Sequence, residues 1–288
     1  MSTHAFTWSQ KLMCPPRFLW KDPELEVELR CIVGHQGEPI ELWLLKPTGL
    51  ATPAPCFINF HGGGFVFEAS ASHYRHAMSY AKQAGCIVVF VRYRLAPTYP
   101  FPVPQYDCLS AARWVFDHAE ELGVDCTRIG IGGDSAGGTL TVTTCLLLQE
   151  EQPEFKPLFQ LLIYPWLDGR NNSQSFMRFS DVPVWNSRMS EIVIPIINPH
   201  PDEIPLAMRS PIEVEDLSNM PPAYIEVAEF DSLHDDGVLY AALLEEQSIE
   251  VEFHETYGTI HGFDYMIKAP TTQAMLSRRI AFMTHMFE

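Results

Sequence analysis

A segment near the middle of the chain has the sequence Arg128-Ile-Gly-Ile-Gly-Gly-Asp-Ser-Ala-Gly-Gly-Thr-Leu-Thr-Val142. Its first apolar residues predict the end of a buried strand, and the run from Thr139 to Leu148 predicts a helix. Between them, the pattern G-x-S-x-G at 133–137 is typical of a sharp strand-to-helix turn. Such a turn lifts a serine Oγ above the sheet, beside the free N–H groups that begin the helix. The segment therefore predicts Ser135 as a nucleophile.

Two other interpretations of this glycine-rich segment fail on single residues. A dinucleotide-binding loop that began at Gly130 would need glycine where Ser135 stands. A phosphate-binding loop that began at Gly132 would need lysine where Gly138 stands. We instead expect the glycines that flank the serine to let two backbones approach each other where a Cβ would clash.

The composition is that of a globular protein with an acidic surface. Of 288 residues, 47% are hydrophobic and 19% are charged, and 19 basic against 36 acidic residues give a net charge of −17. This charge repels phosphate groups, which argues against nucleic acid and anionic membranes as partners. No apolar run reaches the roughly 18 residues that span a bilayer, and residues 1–16 lack the layout of a signal peptide.

Seven cysteines are scattered singly along the chain, without a C-x-x-C pair. Their spacing argues against both a disulfide framework and a zinc site, so we predict a cytoplasmic protein that holds no metal. The chemistry that the serine predicts needs no organic cofactor either, because protein groups can handle every charge that develops.

From residue 55 onward, short apolar runs alternate with helical periods, which predicts the α/β class. Most of these runs are almost wholly apolar, as expected for parallel strands covered on both faces. Two earlier runs predict an antiparallel pair at the sheet edge. We therefore predict an eight-stranded, mostly parallel sheet with helices on both faces. The predicted strands are 25–33, 41–45, 56–60, 86–91, 128–132, 158–164, 223–228 and 249–253, and the predicted helices are 72–84, 104–121, 138–150, 232–247 and 271–286.

One interval breaks this alternation. About sixty residues separate Tyr164 from Ala223, far more than an ordinary connection in an α/β fold. They include several aromatic residues and a helical run near 185–197, which predict an insertion with its own structure. We expect an irregular arm at 1–24 and the segment 166–212 to form a small cap within a single domain, 1–288. An extension that only packs against the core is the alternative.

Three glycines directly follow the predicted strand 56–60, in His61-Gly-Gly-Gly64. Three in a row add an entropic cost of folding that a plain turn does not require. We interpret them as a loop whose N–H groups stabilise a developing oxyanion, together with the N–H of Ala136. Gly63 and Gly64 are the favoured donors. We expect His61 to hold the loop by hydrogen bonding rather than to act as a base.

Carboxylates follow the predicted strand 223–228 at its carboxyl end, where open α/β sheets place their chemistry. Asp231 in this loop is the favoured partner for a catalytic histidine, and Glu229 is the alternative. Asp235 and Asp236 fall inside the next predicted helix. We expect them to be solvated or to lie near its N-terminal dipole.

His261 lies in a loop after the last predicted strand and is followed by glycine, which leaves room around the imidazole. It completes the order serine, aspartate, histidine along the chain, so we predict it as the general base. His73 and His76 lie three residues apart on a predicted helix, with no third metal ligand evident. Neither fits the position of a base.

Six motifs, in order, resemble the hormone-sensitive-lipase-like family of α/β-hydrolases. They are His61-Gly-Gly-Gly-Phe65, Tyr93-Arg-Leu-Ala-Pro-Thr-Tyr-Pro-Phe-Pro102, Gly133-Asp-Ser-Ala-Gly137, Tyr164-Pro165, Asp231-Ser-Leu-His-Asp-Asp236 and His261-Gly-Phe263. The resemblance implies an α/β-hydrolase fold with a cap, hydrolysis of short-chain carboxylic esters, and a possible homodimer. It assigns Ser135 as nucleophile, Asp231 as acid and His261 as base. Its oxyanion donors are Gly63, Gly64 and Ala136.

Two of the motifs depart from the family's pattern, since Thr98-Tyr99 replaces the usual Glu-His and Asp236 replaces a frequent Glu. Both departures lie outside the catalytic residues, so they put helix contacts or assembly in doubt rather than the chemistry.

These motifs predict a serine carboxylesterase that hydrolyses small, short-chain acyl esters through an acyl-enzyme intermediate. The alternatives are an acetyl-sugar deacetylase or an arylformamidase on the same catalytic residues, and a non-catalytic small-molecule receptor. Apolar residues are candidate walls of the substrate pocket, although each fits the protein core equally well. They are Phe65, Val66, Trp166, Phe176, Phe179, Trp185, Met189 and Phe263.

Overall fold

One eight-stranded sheet runs through residues 21–288, which the computed structural model describes. The strands are β1 (Leu25–Val33), β2 (Pro39–Pro47), β3 (Ala54–Phe60), β4 (Ile87–Arg92), β5 (Val124–Asp134), β6 (Gln160–Ile163), β7 (Ala223–Phe230) and β8 (Val251–Ile260). Their order across the sheet is β1-β2-β4-β3-β5-β6-β7-β8. β2 pairs antiparallel with β1 and β4, and the other neighbouring pairs are parallel. The predicted sheet is confirmed.

Helices cover both faces of this sheet. They are α1 (Ala71–Ala84), α2 (Val103–Asp117), α3 (Ala119–Leu122), α4 (Ala136–Glu151), α5 (Gln174–Arg178), α6 (Ser187–Ile197), α7 (Leu206–Arg209), α8 (His234–Glu246) and α9 (Pro270–Phe287). Apolar residues of α1 and α9 pack with Phe57 and Phe90 on one face. Those of α2, α4 and α8 pack with Ile58 and Val89 on the other face. The α/β fold is confirmed, with the predicted helix 104–121 divided at His118 into α2 and α3.

The predicted insertion contains three short helices, α5, α6 and α7, between β6 and β7. Side chains of the main domain hold it from below. Thr143 Oγ1 donates a hydrogen bond to the carbonyl of Ala207 at 2.7 Å. Gln105 Nε2 donates to the carbonyl of Met208 at 2.9 Å. The insertion is therefore packed on α2 and α4, while most of the predicted N-terminal arm, residues 1–20, lies outside the described residues.

Four strand ends bring the predicted site residues to one edge of the sheet. The residues that follow β3, β5, β7 and β8 are His61, Ser135, Asp231 and His261. The predicted strand 249–253 proves too short, because the pairing of β8 with β7 continues through Thr256 to Ile260. His261 therefore comes directly after the strand rather than several residues into a loop.

A buried cation ties the last helix to this edge. Arg279 of α9 is only 1% exposed. Its guanidinium lies 2.5 Å from Glu226 Oε1 on β7 and 2.7 Å from Asp264 Oδ2, three residues after His261. Because an unpaired buried charge costs several kcal/mol, these contacts fix α9 against the loop that carries the histidine.

Candidate active site

Ser135 lies in a strained turn between β5 and α4. Its backbone has φ 53° and ψ −116°, a positive φ that residues with a side chain rarely adopt. The turn is held where the Ser135 N–H donates to the carbonyl of Ile163 at 2.9 Å. A Cβ on Gly133 or Gly137 would lie 2.2 or 2.1 Å from the carbonyl oxygen of Phe60. The expected reason for the flanking glycines, close backbone approach, is confirmed.

A hydrogen-bonded chain joins Ser135, His261 and Asp231. His261 Nε2 lies 2.9 Å from Ser135 Oγ, and His261 Nδ1 lies 2.7 Å from Asp231 Oδ2. An ionised carboxylate only accepts hydrogen bonds, so Nδ1 carries the proton and Nε2 presents its lone pair to the serine hydroxyl. All three residues are at most 3% exposed. The arrangement can remove the proton from Ser135 as its oxygen attacks a carbonyl.

The two carboxylates that the sequence offers as partners for the histidine have different contacts in the structure. Asp231 also accepts a hydrogen bond at 2.9 Å from the N–H of Leu233, which fixes its orientation. Glu229 instead accepts from the N–H of Gly258 at 2.7 Å, on the outer side of the strand end. Asp231 is therefore the carboxylate that contacts His261.

The glycine loop after β3 presents backbone N–H groups beside Ser135. Gly63 and Gly64 have φ of 115° and 58°, values that glycine adopts readily and other residues do not. The carbonyl of Gly63 accepts from the N–H groups of Val66 and Phe67, which folds the loop back on itself. The N–H groups of Gly63, Gly64 and Ala136 donate to no other group within 21–288. They are free to bind an oxyanion.

His61 supports this loop from beneath. Its ring stacks between Phe90 and Tyr93, at centroid distances of 5.8 and 4.5 Å. Its Nδ1 lies 2.6 Å from the carbonyl oxygen of Gly62. Burial lowers the pKa of His61 to about 3, so the ring is neutral and Nδ1 donates to that carbonyl. The expected role of His61 in holding the loop is confirmed.

This buried, neutral histidine predicts a loss of stability in acid. The unfolded chain takes up the proton below the ordinary histidine pKa of about 6.5, whereas the folded chain takes it up only near pH 3. The free energy of unfolding therefore decreases as the pH falls through this window. Between about pH 7 and pH 5 the wild type should lose about 2 kcal/mol more than His61→Gln. Urea unfolding of both proteins at the two pH values measures this difference, and equal losses would contradict the assignment.

Sequence reasoning missed a second support of the loop. Asp134 Oδ1 accepts from the N–H of Gly62 at 3.0 Å, and Asp134 Oδ2 lies 3.0 Å from His73 Nε2. Burial opposes the charged carboxylate, but His73 outweighs it and the pKa of Asp134 falls to about 2. The signal in the sequence is the aspartate directly before Ser135, within the motif Gly133-Asp-Ser-Ala-Gly137.

Asp236 lies in the first turn of α8 and is buried there. It is 4% exposed and accepts hydrogen bonds from the N–H groups of Leu167 and Asp168 at 2.8 and 2.9 Å. Burial raises its pKa well above the usual value for aspartate. Of the two expectations for Asp236, the place near the N-terminus of α8 is confirmed and solvation is wrong, because the chain after β6 crosses directly over the start of α8. The same crossing gives Asp235 the N–H of Ser175 as a partner, at 2.8 Å.

Three of the candidate pocket residues form one aromatic group over the site. The Trp166 ring lies 6.1 Å from Phe65 and 5.8 Å from Trp185. Trp185 also lies 6.3 Å from the His261 ring, and a Cβ on Gly64 would be 2.3 Å from its Cη2. The insertion thus places an indole directly against the glycine loop and the histidine.

The other candidate pocket residues differ in position. Val66 is buried and Met189 partly buried against the same core as this aromatic group. Phe176 is buried without a ring contact to the group in the described part of the chain. Phe179 packs against Phe230. Phe263 packs beside Tyr164 with the core on the α1 and α9 face, so we do not retain Phe263 as a pocket wall.

Within residues 21–288, no group of three or more histidine, cysteine, aspartate and glutamate side chains is placed to hold a metal ion. No helix in the same range has the length and apolar character needed to cross a membrane.

The chain was compared with known proteins. A family model described as an alpha/beta hydrolase fold matches residues 57–265. The chain belongs to the hormone-sensitive-lipase-like family of α/β-hydrolases. Esterase LipI of Mycobacterium tuberculosis is 36% identical over 84% of this chain and 76% of its own. Ethyl acetate hydrolase of Pseudomonas putida is 32% identical over 78% of this chain and 71% of its own.

A solved structure extends the likeness to nearly the whole chain. Carboxyl esterase 2 from the mycorrhizal fungus Tuber melanosporum superposes with a TM-score of 0.85 and 30% sequence identity, over 99% of this chain and 98% of that one. The architecture described above is therefore that of solved α/β-hydrolases.

Proposed function

We propose that the protein is a serine carboxylesterase in which Ser135, His261 and Asp231 form the catalytic triad. The observation that carries the proposal is the buried hydrogen-bonded chain from Asp231 through His261 to Ser135. It stands beside N–H groups that have no other partner among the described residues. The names of the related proteins, which include an esterase and an ethyl acetate hydrolase, support the same reaction.

The proposed reaction follows from this geometry. Ser135 Oγ attacks the ester carbonyl while His261 Nε2 takes its proton, and Asp231 stabilises the imidazolium that forms. His261 then protonates the departing alcohol, which leaves an acyl group on Ser135. A water molecule attacks that acyl-enzyme by the same steps and frees the serine. No step of this proposed reaction requires a metal or a cofactor.

The N–H groups of Gly63, Gly64 and Ala136 are proposed to bind the oxyanion of each tetrahedral intermediate. Each such donor is worth roughly 2.7–4 kcal/mol when it is aimed at the charge that develops. Backbone donors survive side-chain replacement, and the positive φ of Gly63 and Gly64 shows why the loop tolerates no other residue without strain.

We propose small esters with short acyl chains as substrates, under a cap formed by the insertion. Trp185 lies against the glycine loop and the His261 ring, and Trp166 and Phe65 continue this group of bulky rings. Ser135 is only 3% exposed. Apolar walls close to the nucleophile suit short apolar groups and leave little length for a long chain. Residues 1–24 stay a predicted part of this cap.

A series of p-nitrophenyl esters from acetate to decanoate tests this function. We expect kcat/KM to be highest for acetate or butyrate and to fall at least about tenfold by decanoate, because added methylenes meet filled space. Trp185→Ala should move the maximum to longer chains, since Trp185 lies against the glycine loop. Phe179→Ala is the matched control, because Phe179 packs on Phe230 instead. A wild-type maximum at long chains would contradict the short-chain proposal.

The alternative functions differ in what the same site would bind or hydrolyse. A receptor on this fold would bind its ligand without reacting, whereas here His261 is hydrogen-bonded to Ser135. An arylformamidase or a sugar deacetylase would use the same triad on another acyl group. Formanilides and acetylated sugars, assayed beside the p-nitrophenyl esters, distinguish them. The related proteins' names favour ester hydrolysis.

Location and assembly remain proposals as well. Six cysteines in the described residues are free thiols, which supports a reducing compartment such as the cytoplasm. A homodimer also stays a prediction. β8 lies at the edge of the sheet, where Tyr257 is 74% exposed.

A further inference from the structure

His73 lies on α1, and it takes no part in the proposed reaction steps. It is nevertheless 6% exposed, and its Nε2 lies 3.0 Å from Asp134 Oδ2. We propose that His73 is a positioning residue for the oxyanion loop, acting through Asp134. The proposal rests on the proposed ester hydrolysis, because it assigns the loop a function in that reaction.

The contacts of His73 fix its tautomer. The N–H of Ser70 lies 2.8 Å from His73 Nδ1, and a backbone N–H can only donate. In the neutral ring Nδ1 therefore carries a lone pair, which leaves the proton on Nε2. That proton is aimed at Asp134 Oδ2. The first turn of α1 thus orients His73 as a donor to the carboxylate.

Asp134 connects His73 to the glycine loop. Its second oxygen accepts from the N–H of Gly62 at 3.0 Å. A Cβ on Gly62 would lie 2.2 Å from Asp134 Oδ2, so the loop rests directly on the carboxylate. His61 holds the carbonyl of the same residue at 2.6 Å. With both ends of Gly62 held, the next two N–H groups, of Gly63 and Gly64, are fixed in direction.

Movement of the Gly62 backbone would lower the reaction rate, because oxyanion donors act only when their direction is set before the charge develops. A displacement of about 1 Å in a catalytic group can cost about 10²-fold in rate. Asp134 without a second partner could rotate about its Cβ–Cγ bond and release the Gly62 N–H. His73 removes that rotation by holding the other oxygen.

A rival explanation is that His73 only caps α1 by accepting the Ser70 N–H. Two substitutions separate the two roles, because each keeps one nitrogen's contact. The amide nitrogen of His73→Gln reaches the place of Nε2 and can donate to Asp134, but nothing accepts from Ser70. The amide oxygen of His73→Asn takes the place of Nδ1 and accepts from Ser70, but it leaves Asp134 without a donor.

The test is the hydrolysis of p-nitrophenyl acetate by these two variants, with unfolding by urea measured alongside. Positioning predicts that His73→Asn lowers kcat by about 10²-fold with little change in KM, since the loss is confined to the transition state. His73→Gln should keep most of kcat even if it is less stable. The reverse order, or equal kcat in both variants, would overturn the proposal.

A double variant tests the route through Asp134. With Asp134→Ala already present, adding His73→Gln or His73→Asn should lower kcat no further, because the contact is gone. Additive losses would overturn the proposal. His76→Asn is the control, since His76 lies one turn along α1 with its Nδ1 3.9 Å from Asp264 instead.

Failure of the proposed function gives a different result. In that case the wild type itself does not hydrolyse the ester, or Ser135→Ala hydrolyses it equally well. The rate at which an organophosphonate modifies Ser135 then replaces kcat as the measurement, because that reaction also places negative charge on an oxygen beside the loop. A slower modification in His73→Asn than in His73→Gln supports positioning, and equal rates overturn it.

Discussion

Replacement of Ser135 by alanine is expected to lower kcat for p-nitrophenyl acetate by roughly 10⁶-fold, the scale found when a serine hydrolase loses its nucleophile. The variant keeps His261, Asp231 and the free N–H groups of the glycine loop. It lacks the one oxygen, 2.9 Å from His261 Nε2, that can form the acyl-enzyme. Residual hydrolysis should come only from water bound beside the oxyanion donors.

Stability provides the control for this variant. Alanine inherits the same positive φ of 53°, so the strain of the turn should persist and the free energy of unfolding should change little. Mass spectrometry after treatment with an organophosphonate should show one added group on the wild type and none on Ser135→Ala. Ordinary turnover in the variant, or modification of another residue, would contradict Ser135 as the nucleophile.

The second large effect is expected at the acid. Asp231→Asn should lower kcat by about 10⁴-fold while the fold is kept. The amide group would donate toward His261 Nδ1, where the carboxylate now accepts at 2.7 Å. The imidazole would then carry its proton on Nε2, facing Ser135, and could not take the serine proton.

The pH dependence of this variant separates a tautomer effect from a general loss of structure. Glu229→Gln is the matched control, because Glu229 is two residues away and contacts the N–H of Gly258 rather than His261. We expect it to keep nearly all of kcat. Hydroxide at high pH should recover part of the lost rate in Asp231→Asn, since it can remove the serine proton directly. A greater loss in Glu229→Gln would show that the wrong carboxylate had been chosen.

The sequence predicted those parts of the site whose geometry is determined by a short run of neighbouring residues. A turn such as 133–137 places its own serine, and a glycine run such as 62–64 presents its own N–H groups. Strand ends could be predicted to meet at one edge, because parallel strands share their direction. The sheet and the meeting of Ser135, Asp231 and His261 followed from this.

The parts that sequence reasoning missed depend on approaches between distant elements. His73 lies 61 residues before Asp134, and nothing in the helix pattern of α1 marks which side chain faces that carboxylate. The place of Asp236 in the first turn of α8 could be predicted, but its burial could not, because that burial depends on where the chain after β6 crosses α8. From the sequence, Trp185 fits the protein core and the pocket wall equally well. Only the path of the insertion places it against Gly64.

The buried arginine of the last helix sets an order of events for a chain that is still being synthesised. On the ribosome, Ser135, Asp231 and His261 are all made before Arg279. Until that residue emerges, closing the sheet would bury Glu226 and Asp264 without their cation, at a cost of several kcal/mol. We therefore expect Ser135 and His261 to come within hydrogen-bonding distance only after α9 has docked.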